Sequence, residues 1–402
     1  MLILNNMNKI KEELRNRSLQ YFEDTVTLRR HIHQHPELSG KEYNTAEFVA
    51  ETLKSYGITP QFLLNNTAVT AIIEGQNPAY QTIALRADMD ALPLPENNNL
   101  VFHSVNKGVM HACGHDIHTA SLLTTARILQ EIKNQWNGTI KLIFQPSEEK
   151  FPGGAIQLID AGILENPKVD SILGMHVSPE IETGKIGMKT GNYMASTDEI
   201  YITAIGKGGH AALPESFVNP LIIASKILME LESFYAKYSP DDLPGVLTFG
   251  RIFGDGQTNI VPDTVKIEGT LRTFNNDFRL TAHKLIPQIA SQIAVQMNGK
   301  AETFIDQGYP VLKNDEKLTQ KALETVQDFL GKENVLSLDY RMTAEDFAYY
   351  SQRIPSVFYR VGVKVDGQQS NLHSPEFIAN EKALELSPAV MACLAVELLE
   401  RE

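Results

Sequence analysis

Only two cysteines occur in the 402 residues, Cys113 and Cys393. Two are too few for a disulfide framework, and they fit a reducing cytoplasm. Basic residues are also in deficit: 36 Lys and Arg stand against 49 Asp and Glu, a formal net charge of −13. So acidic a chain argues against nucleic acid and anionic membrane as partners. No apolar run is long enough to span a bilayer. Residues 1–9 lack a basic region followed by an apolar core, so no secretory signal is expected, and Met7 is a second candidate start. No internal repeat or low-complexity segment is present. What is left is ordinary apolar content on a chain with room for two or three structural units and a sizeable core.

The chemistry is concentrated in His111-Ala112-Cys113-Gly114-His115-Asp116-Ile117-His118. Cys113 and His115 are two apart, so in an extended loop both side chains reach a common point. A thiolate beside an imidazole suits Zn²⁺, Ni²⁺, Co²⁺ or Mn²⁺ better than Ca²⁺ or Mg²⁺. Cys393 differs: it lies in the apolar helical run 389–396 and reads as a small core residue. A second constellation, Gln145-Pro146-Ser147-Glu148-Glu149, follows the apolar run 139–144. Adjacent carboxylates at a strand end point different ways. One can bind a metal while the other faces the water that the metal activates. Alone, such a pair is commonly a solvated turn; beside the cysteine-histidine loop it reads as chemistry.

The first half alternates helix and strand. Helices are expected at 43–56, 117–132 and 154–163, with strands at 68–74, 82–87, 139–145 and 170–176. Asp88 and Asp90, Glu148 and Glu149, and His176 then follow strand ends, where α/β folds place ligands. Residues 198–306 change pattern to strand 199–205, helix 220–235, strands 246–253 and 264–273, helix 277–297 and strand 301–305. That order is βαββαβ, of ferredoxin-like type. Pro287 is expected to kink the second of these helices. Helix 316–330, strand 356–362 and a closing helix 381–400 complete the chain. The expected fold class is α/β, with a metal-binding catalytic domain from 1–192 and 308–402 and an inserted domain at 193–307.

These motifs together resemble the M20 family of metallopeptidases and amidohydrolases, nearest its N-acyl-amino-acid hydrolase branch of hippurate and auxin-conjugate hydrolases. The resemblance runs from Arg29-Arg30-His31-Ile32-His33-Gln34-His35-Pro36-Glu37-Leu38-Ser39 through Arg86-Ala87-Asp88-Met89-Asp90, the two constellations above, Gly153-Gly154-Ala155 and Gly206-Lys207-Gly208-Gly209-His210. It continues through Asn259-Ile260-Val261-Pro262 and Ala344-Glu345-Asp346-Phe347 to Asn371-Leu372-His373-Ser374-Pro375. It implies an aminopeptidase-like catalytic domain, an inserted lid and dimerisation domain, and two divalent ions (Zn, Mn, Co or Ni) held by Cys113, His115, Glu149, His176 and His373. It implies Glu148 as general base and His210 as the group that reaches the other subunit's site to stabilise the oxyanion. Asn259 and Arg272 would grip the substrate carboxylate, and Asp88 and Asp90 would orient ligands. A homodimer through the inserted domain follows. Lys150 and Ile117 depart from residues usual in this branch but remove no ligand.

The implied reaction is hydrolysis of N-acyl-L-amino acids, with a dipeptidase, carboxypeptidase or N-acetyl-diaminopimelate deacetylase as alternatives within the family. Outside that class stand a Cys113 thiol hydrolase and a non-catalytic binding protein. A buried Cys113 between carboxylates would hold its proton, which disfavours the thiol reading. His31, His33 and His35 read as a helix end, His118 as a residue that lines the site, Glu345 as a residue near the metals, and His103 and His283 as without a role.

Overall fold

The alternating first half folds into one mixed sheet. The computed structural model describes residues 2–240, 242–368 and 370–400. It divides into two compact units: 1–191 with 313–339 and 349–402, and 192–312 with 340–348.

In the first unit, eight strands lie in the order Pro60–Leu63, Ala68–Glu74, Thr139–Gln145, Thr82–Asp88, Ser171–Ser178, Ser356–Gly362, Ile186–Met188 and Val335–Ser337. The central strands are rich in apolar residues and buried along their whole length, as strands covered on both faces must be. Thr82–Asp88 runs parallel to both Thr139–Gln145 and Ser171–Ser178, and Ser356–Gly362 runs parallel to the latter. Parallel pairing requires crossovers, and the helix His115–Glu131 supplies one. It packs against Phe22–Gln34 and Ser387–Leu399, burying Ile117, Leu122, Leu123 and Leu129 completely. Trp136, the one tryptophan, is buried, and its indole N–H donates to the Leu129 carbonyl at 3.2 Å.

The second unit is built on an antiparallel sheet ordered Gly245–Phe253, Thr264–Thr273, Ser196–Ile205, Lys300–Gln307, with the helices Pro220–Glu232 and Asn276–Gln296. Its chain order is the βαββαβ expected from the alternation. Val265, Ile267 and Leu271 face its own core with Ile200, Ile202, Ile223 and Ile227. Asn276–Gln296 continues through Pro287. Its buried residues Phe278, Ala282, Ile286, Ala290 and Ala294 share one stripe, and their packing offsets a proline cost of about 3 kcal/mol.

Three details differ from the sequence expectation. The closing helix divides into a 3₁₀ turn, Glu381–Glu385, and Ser387–Leu399, because Pro388 suits a first helical turn rather than an interior. The helix expected at 154–163 stops at Asp160. Residues 340–348 belong with the second unit, although 193–307 was the expected insertion.

Candidate metal centre and active site

Every side chain considered first belongs to the first unit. Parallel register sets Asp88 opposite Gln145, so both strands deliver their following loops to the same sheet end. His176 lies near the same end of the neighbouring strand Ser171–Ser178. Gly114 starts the helix His115–Glu131 with φ +87°, and a Cβ there would lie 2.4 Å from Val177 Cγ2. Glycine therefore lets the Cys113–His115 turn approach the strand that carries His176. Gly154 plays the same part for the Glu148–Glu149 turn. A Cβ there would lie 1.8 Å from the Pro146 carbonyl, and its N–H donates to Ser147 O at 2.9 Å.

Donor atoms converge at this end. Cys113, His115 and His176 offer Sγ and ring nitrogens within 4.8 Å of one another, as do Cys113, Glu149 and His373, and also His115, Glu148 and Glu149. Cys113 Sγ lies 3.3 Å from His176 Nε2, and His373 Nε2 lies 3.2 Å from Glu149 Oε1. Backbone contacts fix which nitrogens are offered. His176 Nδ1 donates to the Val177 carbonyl at 2.7 Å. His115 Nδ1 donates towards the Asp90 carbonyl at 3.0 Å and Asp90 Oδ1 at 3.2 Å. His115 Nε2 is buried with no hydrogen-bond partner among the described residues. Buried polar atoms are normally satisfied, so a ring nitrogen left without a partner beside a thiol and a carboxylate has the form of a metal site. The donor set, thiolate with imidazoles and carboxylate, fits borderline divalent ions.

Electrostatics point the same way. Burial pushes the Cys113 thiol well above its usual range, and the Glu149, Glu148 and Asp88 carboxylates add to this. Burial opposes charge on His115, yet Asp88 and Asp90 raise it to about 10. Burial and then the Arg360 guanidinium hold His176 well below the usual histidine range. Negative charge thus accumulates around these donors, and a dication would relieve it.

A further layer holds the donors. Burial keeps His118 below its usual range, so its ring is neutral with one donor and one acceptor. Nδ1 donates to Asp88 Oδ1 at 2.6 Å, and Nε2 accepts the Val177 N–H at 3.0 Å. Arg86 donates to Asp88 Oδ2 at 2.6 Å and to Gln145 Oε1 at 3.0 Å. Asp90 Oδ2 accepts the Glu149 N–H at 2.9 Å and the Ser39 hydroxyl at 2.7 Å. Ser39 closes the first of the family motifs but carries no assigned role there, and Glu42, whose Oε1 accepts the Ser147 N–H at 2.8 Å, lies outside every motif read from the sequence. His111 belongs to none of the converging groups; its ring stands 6.3 Å from that of His33.

The remaining histidines lie outside these converging groups. His33 Nδ1 lies 2.8 Å from Asp116 Oδ2, which also takes Arg29 Nε at 2.7 Å. His31 stacks on Phe48 at 4.1 Å. In the second unit, His283 Nε2 lies 2.9 Å from Asp198 Oδ2. His210 is exposed on the short strand Gly209–His210, paired with Ile260–Val261 so that Ile260 faces it. Its Nδ1 accepts the Ala212 N–H at 3.1 Å, which leaves the ring proton on Nε2. Asn259 is exposed beside this ribbon, its carbonyl accepting the Ala211 N–H at 3.0 Å. Arg272 sits apart on Thr264–Thr273, half-buried, opposite Thr197 and Val246. Glu345, in the 340–348 segment, is buried and accepts the Phe347 N–H at 3.1 Å.

The sequence pattern of peptidase family M20/M25/M40 matches residues 84–397. The chain belongs to this family. Among M20 relatives, an N-acetyl-L-cysteine deacetylase of Bacillus subtilis (strain 168) is 38% identical over 381 residues, 94% of this chain and 89% of that one. An N-acyl-L-amino acid amidohydrolase of Geobacillus stearothermophilus is 40% identical over 307 residues, 76% of this chain and 82% of that one. The solved YXEP protein of Bacillus subtilis, described as a dinuclear metal binding peptidase from M20 family, superposes with a TM-score of 0.81 at 32% identity. That match covers 94% of this chain and 99% of the YXEP chain. The motif resemblance to the M20 family is thereby borne out. No described helix of this M20 chain is long and apolar enough to cross a membrane.

Proposed function

We propose that this M20 protein is a metal-dependent amidohydrolase that cleaves the amide bond of N-acyl-L-amino acids, releasing an amino acid and a carboxylic acid. The observation that carries this is the Glu148–Glu149 turn facing the buried Cys113 and His115 donors, in a chain whose relatives at 38–40% identity are deacylases. Cys113, His115, Glu149, His176 and His373 are the side chains we assign to two divalent ions. Those ions, when bound, supply Lewis acidity that makes water nucleophilic at neutral pH and polarises the amide carbonyl.

Glu148 does the proton work. It takes a proton from the attacking water as the C–O bond forms and returns it to the amine nitrogen as the C–N bond breaks. No covalent enzyme intermediate is required. We assign His210, whose Nε2–H is free to donate, to the oxyanion of the tetrahedral intermediate, in a homodimer formed through the inserted unit. Asn259 and Arg272 are assigned to the substrate carboxylate, a task suited to the planar guanidinium fork. Asp88 and Asp90 orient ligands through His118 and His115. Thiolate and imidazole together favour Zn²⁺, Mn²⁺, Co²⁺ or Ni²⁺. Two free cysteines, both buried, fit a cytoplasmic protein.

The test is amine release from N-acetyl and N-benzoyl amino acids and from dipeptides, on metal-loaded and chelator-treated protein. The reading expects cleavage of N-acyl amino acids that chelator abolishes and added Zn²⁺, Mn²⁺, Co²⁺ or Ni²⁺ restores. Chelator-resistant turnover that thiol alkylation blocks would transfer the chemistry to Cys113 and overturn it. Exclusive turnover of dipeptides would place the protein with the peptidases of its family.

A further inference from the structure

The backbone N–H groups of the two residues that flank Glu148 are each held by a buried carboxylate. Before it, the Ser147 N–H donates to Glu42 Oε1 at 2.8 Å. After it, the Glu149 N–H donates to Asp90 Oδ2 at 2.9 Å. Glu42 and Asp90 are 0% and 1% exposed. Both are tied through one short segment of the first unit. Ser39 Oγ donates to Asp90 Oδ2 at 2.7 Å, and the Gly40 N–H donates to Glu42 Oε1 at 2.9 Å. Residues 39–42 thus brace the turn from both sides.

Two features separate this from ordinary helix architecture. Glu42 occupies the N-cap position of the helix Tyr43–Ser55, yet its side chain makes no capping hydrogen bond. The carboxylate turns away from its own helix and serves the Glu148 turn. Ser147 has φ +56°, in the left-handed region that a non-glycine residue adopts only when its surroundings hold it. Glu42 supplies that hold at the residue immediately before the base. It lies outside the stretch 84–397 by which the family is matched.

We infer that Glu42 is a positioning residue for Glu148: by accepting the Ser147 N–H it fixes the left-handed turn that aims the Glu148 carboxylate. This rests on Glu148 as the general base. Without Glu42 the Ser147 peptide loses its buried acceptor and the turn relaxes, so the base is misplaced while the metal donors on other elements keep their anchors.

The experiment compares Glu42→Ala, Glu42→Gln, Glu42→Asp and Glu148→Gln in the full-length protein, with kcat, KM and metal content measured for each. Glu42→Ala is expected to lose about 10–100-fold in kcat, the range for a base misplaced by roughly 1 Å. KM and metal content hold. Glu42→Gln keeps an acceptor oxygen and recovers most of the turnover. Glu42→Asp is one methylene shorter, cannot reach Ser147 N, and loses turnover as the alanine variant does; it decides the matter if the alanine variant does not fold. Wild-type kcat in both the alanine and aspartate variants, with Glu148→Gln inactive, overturns the positioning role and leaves the base intact. A fall in kcat matched by an equal fall in metal content also overturns it. Near-normal turnover in Glu148→Gln removes the base and this inference with it.

Discussion

His118 offers the sharpest test of how the donors are held, because its two nitrogens have separable tasks. Nε2 accepts the buried Val177 N–H next to His176, and Nδ1 donates to Asp88. Glutamine at this position places an acceptor near Nε2 and loses the Asp88 contact; asparagine does the reverse. Alanine loses both. An unpaired buried N–H costs about 1–3 kcal/mol, and a lost hydrogen bond to a charged group about 1.5–3 kcal/mol, so the alanine variant is destabilised by roughly 3–6 kcal/mol. The carbonyl of the same residue, Val177, fixes His176 Nδ1, so displacing the Val177 backbone turns the His176 ring. Loss of such an outer partner lowers metal affinity about 10–100-fold. Competition with a chelator of known affinity measures this, and urea melts of metal-free protein measure the stability. His118→Gln is expected to keep metal affinity better than His118→Asn, because it retains the Val177 contact. Equal, wild-type affinity in both variants would refute the reasoning.

Other consequences follow from the same contacts. Metal loading displaces the protons of Cys113, held up by burial and carboxylates, and of His115, raised to about 10. Calorimetry in buffers of different ionisation enthalpy should therefore read about two protons released per chain near pH 7, and none would contradict the arrangement. Burial alone would raise Asp198, but Arg279, donating at 2.8 and 2.6 Å, and His283 hold it below the usual carboxylate range. Its folded value is depressed, so its contribution is present above the ordinary carboxylate pKa and fades as pH falls through the folded value. Asp198→Ala should cost about 3–5 kcal/mol at pH 7, with the gap from wild type closing in acid; a gap that does not depend on pH would contradict this. His210→Ala should lower kcat with metal content unchanged, and Arg272→Ala should raise KM for an N-acyl amino acid; a variant at wild-type values removes that residue from its assigned task.

Much of the fold was legible because its signals are local. The runs at 82–88, 139–145 and 171–178 are mostly apolar and end in or just before chemical residues, so both the sheet and the end that bears function could be read. The βαββαβ order could be read for the same reason. What escaped depends on partners far away in the chain. Glu42 meets Ser147 across 105 positions, and no spacing announces such a contact. His111 and His118 flank the same motif, yet one is turned towards His33 and the other grips Asp88. Only the left-handed turn at Gly114 and the helix that follows separate them. Residues 340–348 join the second unit through tertiary pairing, such as the Ala195 N–H to the Arg341 carbonyl at 3.0 Å.

The central claim is that Glu148 carries the proton in a metal-dependent amide hydrolysis. The measurement that reaches it most directly is steady-state turnover of an N-acyl amino acid by metal-loaded Glu148→Gln, with metal content and thermal midpoint determined on the same sample. The isosteric amide keeps the turn but cannot accept the proton. The account predicts wild-type metal content, an intact fold, and kcat lower by at least about 10²-fold. Turnover near wild type in a fully loaded, folded variant would contradict it.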